Sequence, residues 1–152
     1  IATEMMAREV LIGGEESGGI GFGIHIPERD ALFSALILLE ALTYTAKPLR
    51  RSIDSINEKY SSAYYERIDI RLRDISQKNK IEKFLISNPP VDILDNKVIE
   101  VIRKDGIKLR IGLNHWLMFR FSGTEPLLRI YCEAPSLEEV ENLLEWAKDF
   151  IK

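Results

Sequence analysis

Absences bound this chain before any motif does. It has one cysteine, Cys132, so no disulfide can form within its 152 residues, and the composition fits a reducing compartment, the cytoplasm being the expectation. Lysine and arginine number 21 against 24 aspartates and glutamates, a formal charge of −3. No basic excess argues for nucleic acid, and the acidic surplus is too slight to select a partner. The most apolar stretch, residues 31–42, is too short and too interrupted to span a bilayer, so no membrane partner is expected. There is no internal repeat, no low-complexity segment and no basic-then-apolar leader pattern. The chain opens Ile1-Ala2-Thr3 rather than with methionine, which reads as a piece of a longer protein. Its length suffices for one ordinary domain, or a small domain with an appendage.

Glycine is sparse except in one place: six of the nine lie between residues 13 and 23. Before them, Met5, Met6 and the run Val10-Leu11-Ile12 suggest a short helix leading into a short buried strand. The glycine-rich stretch itself predicts a loop, because so many glycines stabilise neither helix nor strand. Residues 29–46 then predict a helix that is apolar nearly all round, which demands cover on several sides. Pro48 can open a second helix, with Leu49, Ile53, Ile56 and Tyr60 on one face. Ser61-Ser62 marks the expected boundary between segments 1–62 and 63–152.

Beyond it the pattern is α+β. Ile68, Ile70 and Leu72 alternate with charged residues as in a half-buried strand. Residues 75–86 read as a helix with Ile81, Phe84 and Leu85 at core spacing, ended by Asn88-Pro89-Pro90. Asp105-Gly106 between two apolar runs predicts a hairpin. Ser136 with Glu139 three residues on is a capping box opening a last helix, whose apolar face is Leu137, Val140, Leu143, Leu144, Ala147 and Ile151, with Trp146 off that stripe. The expected domain is an antiparallel sheet of four or five strands with helices on one face.

The densest chemistry lies in Arg120-Phe121-Ser122-Gly123-Thr124-Glu125-Pro126, continued by Arg129-Ile130-Tyr131. Alternation puts Leu117, Phe119 and Phe121 on one face and Trp116, Met118 and Arg120 on the other. After the turn, Leu128, Ile130 and Cys132 oppose Arg129, Tyr131 and Glu133. Both arginines thus point away from the core, near the turn they flank. Guanidinium forks bind phosphate oxygens in pairs, the Ser122 and Thr124 hydroxyls can donate, and Gly123 admits close approach to backbone N–H groups. An ordinary β-turn with surface arginines balanced by Glu125 and Glu133 fits the residues equally well. In the glycine-rich stretch, Glu15 and Ser17 suit a polyol site, a carboxylate accepting from neighbouring sugar hydroxyls; a plain linker fits as well.

Arg-x-Ser-Gly-Thr-Glu-Pro followed by Arg-x-Tyr-x-Glu resembles the phosphate-binding loop of the α-D-phosphohexomutases, the phosphoglucomutase/phosphomannomutase family. Gly14-Glu15-Glu16-Ser17-Gly18 resembles that family's sugar-binding loop. The resemblance covers the whole chain and implies that residues 1–62 are the helical end of an α/β third domain and residues 63–152 a fourth, phosphate-binding domain. It implies Arg120, Ser122, Gly123, Thr124 and Arg129 as phosphate contacts and Glu15 and Ser17 as sugar contacts. His25 and Arg29, in a stretch resembling a basic segment of the same cleft, are candidate cleft-lining residues, although a lone histidine after a loop is more often structural. Some members carry histidine where this chain has Gly19, which leaves the proton-transfer residue open. Glu16 looks more like the glucose and mannose enzymes than the glucosamine branch.

In that family a phosphoserine interconverts hexose 1- and 6-phosphates through a hexose 1,6-bisphosphate, with Mg2+ as cofactor. Neither a Ser-His-Asn-type phosphoserine loop nor an Asp-Gly-Asp metal loop is found in these residues. The expectation is therefore no catalytic residue and no metal ligand here, and no turnover by this chain alone. The implied partners are a phosphorylated hexose and the missing N-terminal domains, with a homodimer through residues 29–46 as a further expectation. A non-catalytic phosphosugar- or anion-binding module is the alternative.

Overall fold

A computed structural model describes residues 1–15 and 17–152. The chain divides into two compact units, Ile1–Lys59 and Tyr60–Lys152. The first begins with α1 (Ala2–Ala7), β1 (Ile12–Gly14) and β2 (Ile20–Phe22), followed by α2 (Ala31–Thr45) and α3 (Leu49–Tyr60).

The burial expected of the short strand after α1 is not met, since Leu11 and Ile12 are exposed. The glycine-rich stretch, expected as a loop, is in part a small antiparallel hairpin in which Gly13 faces Gly21. Close backbone approach is the reason glycine serves there. A Cβ on Gly23 would fall 1.7 Å from the Val10 carbonyl oxygen, so any other residue would force the hairpin apart. Helix α2 starts where Asp30 accepts a 2.9 Å hydrogen bond from the Phe33 N–H, and it ends at Ala46 in the left-handed region, φ 51°. Phe33 packs on Phe22, but much of the helix's remaining apolar surface is uncovered within the described residues: Leu32 is 74% exposed and Leu39 58%, and no residue of the helix is buried. In α3, Leu49, Ile53, Ile56 and Tyr60 are likewise exposed. No helix among the described residues is long and apolar enough to cross a membrane.

The second unit runs β3 (Tyr64–Arg71), α4 (Ile75–Ser87), β4 (Asp92–Ile93), β5 (Asn96–Lys97), β6 (Glu100–Ile102), β7 (Ile107–Gly112), β8 (His115–Phe121), β9 (Leu127–Ala134) and α5 (Leu137–Phe150). Five strands make one antiparallel sheet in the order β3-β9-β8-β7-β6, so the fold is α+β as the sequence predicts. Leu117, Phe119, Leu128, Ile130, Cys132 and Ala134 are fully buried and join Leu85 of α4 and Val140, Leu143 and Ala147 of α5 in a single core. Burial pushes the Cys132 thiol up to about 12, so it packs as an apolar group.

Both helices are capped from the sequence. Asp74 accepts from the Gln77 N–H while Gln77 accepts from the Arg73 N–H, and Ser136 accepts from the Glu139 N–H. Trp146, off the α5 stripe, stacks on Phe150 at 4.9 Å and lies partly buried against the core. The opposite sheet face is mostly polar. Tyr131 on that face is nonetheless buried, with the Arg67 guanidinium 6.0 Å from its ring centre.

The Asp105-Gly106 turn is fixed by close contact with β8. Gly106 has φ 145°, and a Cβ there would lie 2.5 Å from the Phe119 carbonyl oxygen and 3.3 Å from the Arg120 Cα. Gly106→Ala should therefore destabilise the second unit by about 1–3 kcal/mol, read as a lower denaturant midpoint at unchanged slope. A midpoint equal to the parent's would show that the turn yields without strain.

Candidate phosphate-binding site

The sheet sets the geometry of the turn at residues 122–126. Arg120 lies near the end of β8 and Arg129 near the start of β9, and the register places them directly opposite each other on the polar face. Like charges across a strand pair repel, and among the described residues one carboxylate relieves them. Asp69, beside Arg129 in the register of β3, has one oxygen 3.7 Å from the Arg129 Nε and the other 3.2 Å from the Arg67 Nε. Arg120 is exposed and pairs with no acid among the described residues. The structure thus concentrates positive charge at the mouth of one turn.

The turn's own bonds leave its outer donors available. Ser122 N–H donates to the Leu127 carbonyl, and the Ser122 hydroxyl oxygen accepts from the Glu125 N–H at 3.2 Å. That leaves the Ser122 O–H proton, the exposed Thr124 hydroxyl and the Gly123 and Thr124 N–H groups with no partner among the described residues. Gly123 has no atom within 4 Å of where a Cβ would stand. Among the described residues nothing crowds that position, so the backbone of the turn stands open there. Two guanidiniums, two hydroxyl protons and two amides facing solvent are a donor set for a tetrahedral oxyanion.

From within, the turn is anchored by a residue that sequence reasoning missed. Lys78 of α4 is buried and its Nζ donates to the Ser122 carbonyl at 2.8 Å. Its signal was present: Lys78, Ile81 and Leu85 follow helical spacing, so the lysine occupies a core position of α4.

In the first unit the structure brings together Glu15, Ser17 and Arg29. Arg29 Nη1 donates to the Glu15 carboxylate at 2.7 Å, and the Ser17 hydroxyl donates to the same oxygen at 3.3 Å. Arg29 also donates through Nε to Glu28 at 3.0 Å. A Cβ on Gly19 would lie 2.8 Å from the Arg29 Cδ, so a side chain there would make Arg29 shift from this pose. His25 stands in a different arrangement, 3.0 Å from the Asp30 carboxylate that caps α2 and stacked on Phe33 at 4.2 Å. Glu16 lies outside the described residues. No three His, Cys, Asp or Glu residues among those described stand together as a metal site, and no step here runs through magnesium.

The Arg29 hydrogen bond is the main cause holding the Glu15 carboxyl below its usual range. A depressed carboxylate contributes order above its unfolded pKa and loses it as pH falls through the folded value. Glu15 should accordingly titrate lower than an unpaired glutamate by carboxyl NMR, and Arg29→Ala should return it upward. An unchanged midpoint in that variant would show the pair to be absent in solution.

Against known proteins, residues 1–60 match the phosphoglucomutase/phosphomannomutase alpha/beta/alpha domain III and residues 66–148 match the phosphoglucomutase/phosphomannomutase C-terminal domain. The chain belongs to this family. It is 32% identical over 153 residues to the phosphoglucosamine mutase of Methanocaldococcus jannaschii, covering 100% of this chain and 32% of that protein. To the phosphoglucomutase/phosphomannomutase of Thermococcus kodakarensis it is 28% identical over 145 residues, 95% of this chain and 29% of the relative. A crystal structure from Thermus thermophilus, proposed to be a phosphomannomutase, superposes with a TM-score of 0.72 at 30% identity, covering 99% of this chain and 29% of that one. The chain therefore spans less than a third of the length of these mutases.

Proposed function

We propose that this chain is the substrate-phosphate clamp and part of the sugar site of a longer phosphohexomutase. In this reading Arg120, Arg129, Ser122, Thr124 and the Gly123 amide hold the phosphate that is not reacting. Glu15 and Ser17 accept and donate to the sugar hydroxyls, with Arg29 fixing the Glu15 carboxylate and His25 in the cleft lining. The observation that carries the reading is the Arg120–Arg129 opposition beside a turn whose outward donors are unused. A fold that tolerates that repulsion gains when an anion arrives.

A mutase that turns a bisphosphate round in its cleft needs a non-reacting phosphate site that serves either orientation. A clamp that reads oxyanion geometry, and not the carbon bearing it, meets that need. The phosphoserine and the magnesium ligands would come from the rest of the longer protein, and magnesium would there offset the charge of the transferring phosphoryl group. The names of the relatives divide between glucosamine and glucose or mannose phosphates, so the substrate class is kept at hexose phosphate. The exposed side of α2 fits cover by the remainder of its own domain, with a second copy of the chain taking that role when the piece stands alone.

The alternative, a phosphosugar-binding module without catalysis, shares the clamp and differs in the rest of the protein. The chain incubated with glucose 1-phosphate, Mg2+ and a trace of glucose 1,6-bisphosphate should form no glucose 6-phosphate, yet bind glucose 6-phosphate more tightly than inorganic phosphate. Robust turnover by the chain would contradict the division of labour. Equal affinity for both anions, falling steeply with salt, would reduce the site to an unspecific basic surface.

A further inference from the structure

Lys78 is the one charged side chain buried among the described residues, 7% exposed, and no carboxylate there pairs with it. An ammonium shielded from bulk water needs a hydrogen-bond acceptor in place of the water it loses. Its single described partner is the Ser122 carbonyl oxygen, 2.8 Å from Nζ. That carbonyl shares a planar peptide unit with the Gly123 N–H, and no cis peptide occurs among the described residues. In a trans peptide the C=O and N–H point in opposite directions. A carbonyl held inward by Lys78 therefore turns the Gly123 N–H the opposite way, outward from α4, where it has no partner among the described residues. Hydrogen bonding at the carbonyl also polarises the peptide and strengthens its N–H as a donor.

We propose that Lys78 is a positioning residue for the phosphate turn: its buried ammonium fixes and polarises the peptide joining Ser122 to Gly123, so that the Gly123 N–H is aimed at the bound phosphate. This rests on the clamp reading above. It adds a fixed positive charge beneath the turn that never touches the ligand, and it explains why a core position of α4 carries lysine. The guest's phosphate supplies a counter-charge that none of the described residues provides.

The test compares Lys78→Met, Lys78→Gln and Arg120→Ala with the parent chain, using glucose 6-phosphate as probe. Methionine keeps the length and apolar packing of the lysine stem, so the fold should persist with little loss of melting temperature. The Gly123 amide proton should move upfield in the free protein, and affinity should fall about tenfold, with glutamine, still able to donate, between methionine and the parent. A role in stability alone would lower the melting temperature and leave both the Gly123 shift and the affinity of the folded variant unchanged; that result overturns the inference. If the methionine variant does not fold, the glutamine variant decides, parent-like affinity and Gly123 shift overturning the inference and a loss of both supporting it. Arg120→Ala separates the levels. If it weakens binding while the Lys78 variants bind normally, the positioning role fails and the clamp stands; if it too binds normally, the clamp fails and the inference with it.

Discussion

Arg120→Ala is expected to weaken glucose 6-phosphate binding by the chain between about tenfold and a hundredfold, while leaving its melting temperature unchanged or higher. The loss follows from removing a charge-assisted, two-pronged donor, a hydrogen bond to a charged group being worth roughly 1.5–3 kcal/mol. The stability side has the opposite sign because Arg120 faces Arg129 across the ladder with no acid of its own among the described residues. Truncating it relieves repulsion in the free protein. Few ordinary surface arginines combine these two signs, so calorimetry and a thermal melt on one variant discriminate a ligand-binding arginine from a structural one. Loss of affinity with marked loss of stability would instead make Arg120 a folding residue. Lysine at this position should recover only part of the affinity, since an ammonium keeps the charge but not the fork.

Phe119→Ala should destabilise the second unit by about 3–5 kcal/mol, a large fraction of the whole stability of a domain this size. Phe119 is fully buried in β8, paired with Ile107 and Ile130 of the neighbouring strands. Its ring belongs to the core that also holds the α5 residues Val140 and Leu143. No small rearrangement fills that void, because the sheet neighbours are themselves fully or nearly fully buried. Arg120 follows it in sequence, so phosphate binding should vanish with the fold and not before it. Denaturation followed by tryptophan fluorescence measures the change; a loss below about 1 kcal/mol would mean the core repacks around the gap.

The legible parts of the fold were those where one physical pattern had no competitor. Strands β8 and β9 showed their alternation because one face meets helices and the other meets solvent, and Ser136 with Glu139 announced α5. The same alternation put Arg120 and Arg129 on the open face. It could not set their direct opposition, since a slip of two residues preserves which face each side chain takes. That register is a property of the turn at residues 122–126 and of the Asp69–Arg129 neighbourhood, which brings in a third strand.

The small hairpin of β1 and β2 was hidden because its glycines read as breakers, whereas the fold uses them to let backbone segments come close, as Gly23 does against Val10. Strands β4 and β5 are two residues each, below the length at which alternation speaks. Lys78 was passed over because lysine is assigned to solvent by default, and its carbonyl partner lies 44 residues away. The pairing of Glu15 with Arg29 was invisible for a related reason: Gly19 gives room for it, and an absent side chain leaves no pattern to read.

Whether a sugar phosphate sits at the turn of residues 122–126, between its two opposed arginines, is tested most directly by an amide NMR titration. The chain would be titrated with glucose 6-phosphate at low millimolar concentrations. Saturable shifts are expected, largest at the Gly123 and Thr124 amides and at the Arg120 and Arg129 side-chain Nε–H groups, and reproduced by mannose 6-phosphate and by glucose 1-phosphate. Shifts spread over surface lysines with none at Gly123 or Thr124 would contradict the phosphate clamp.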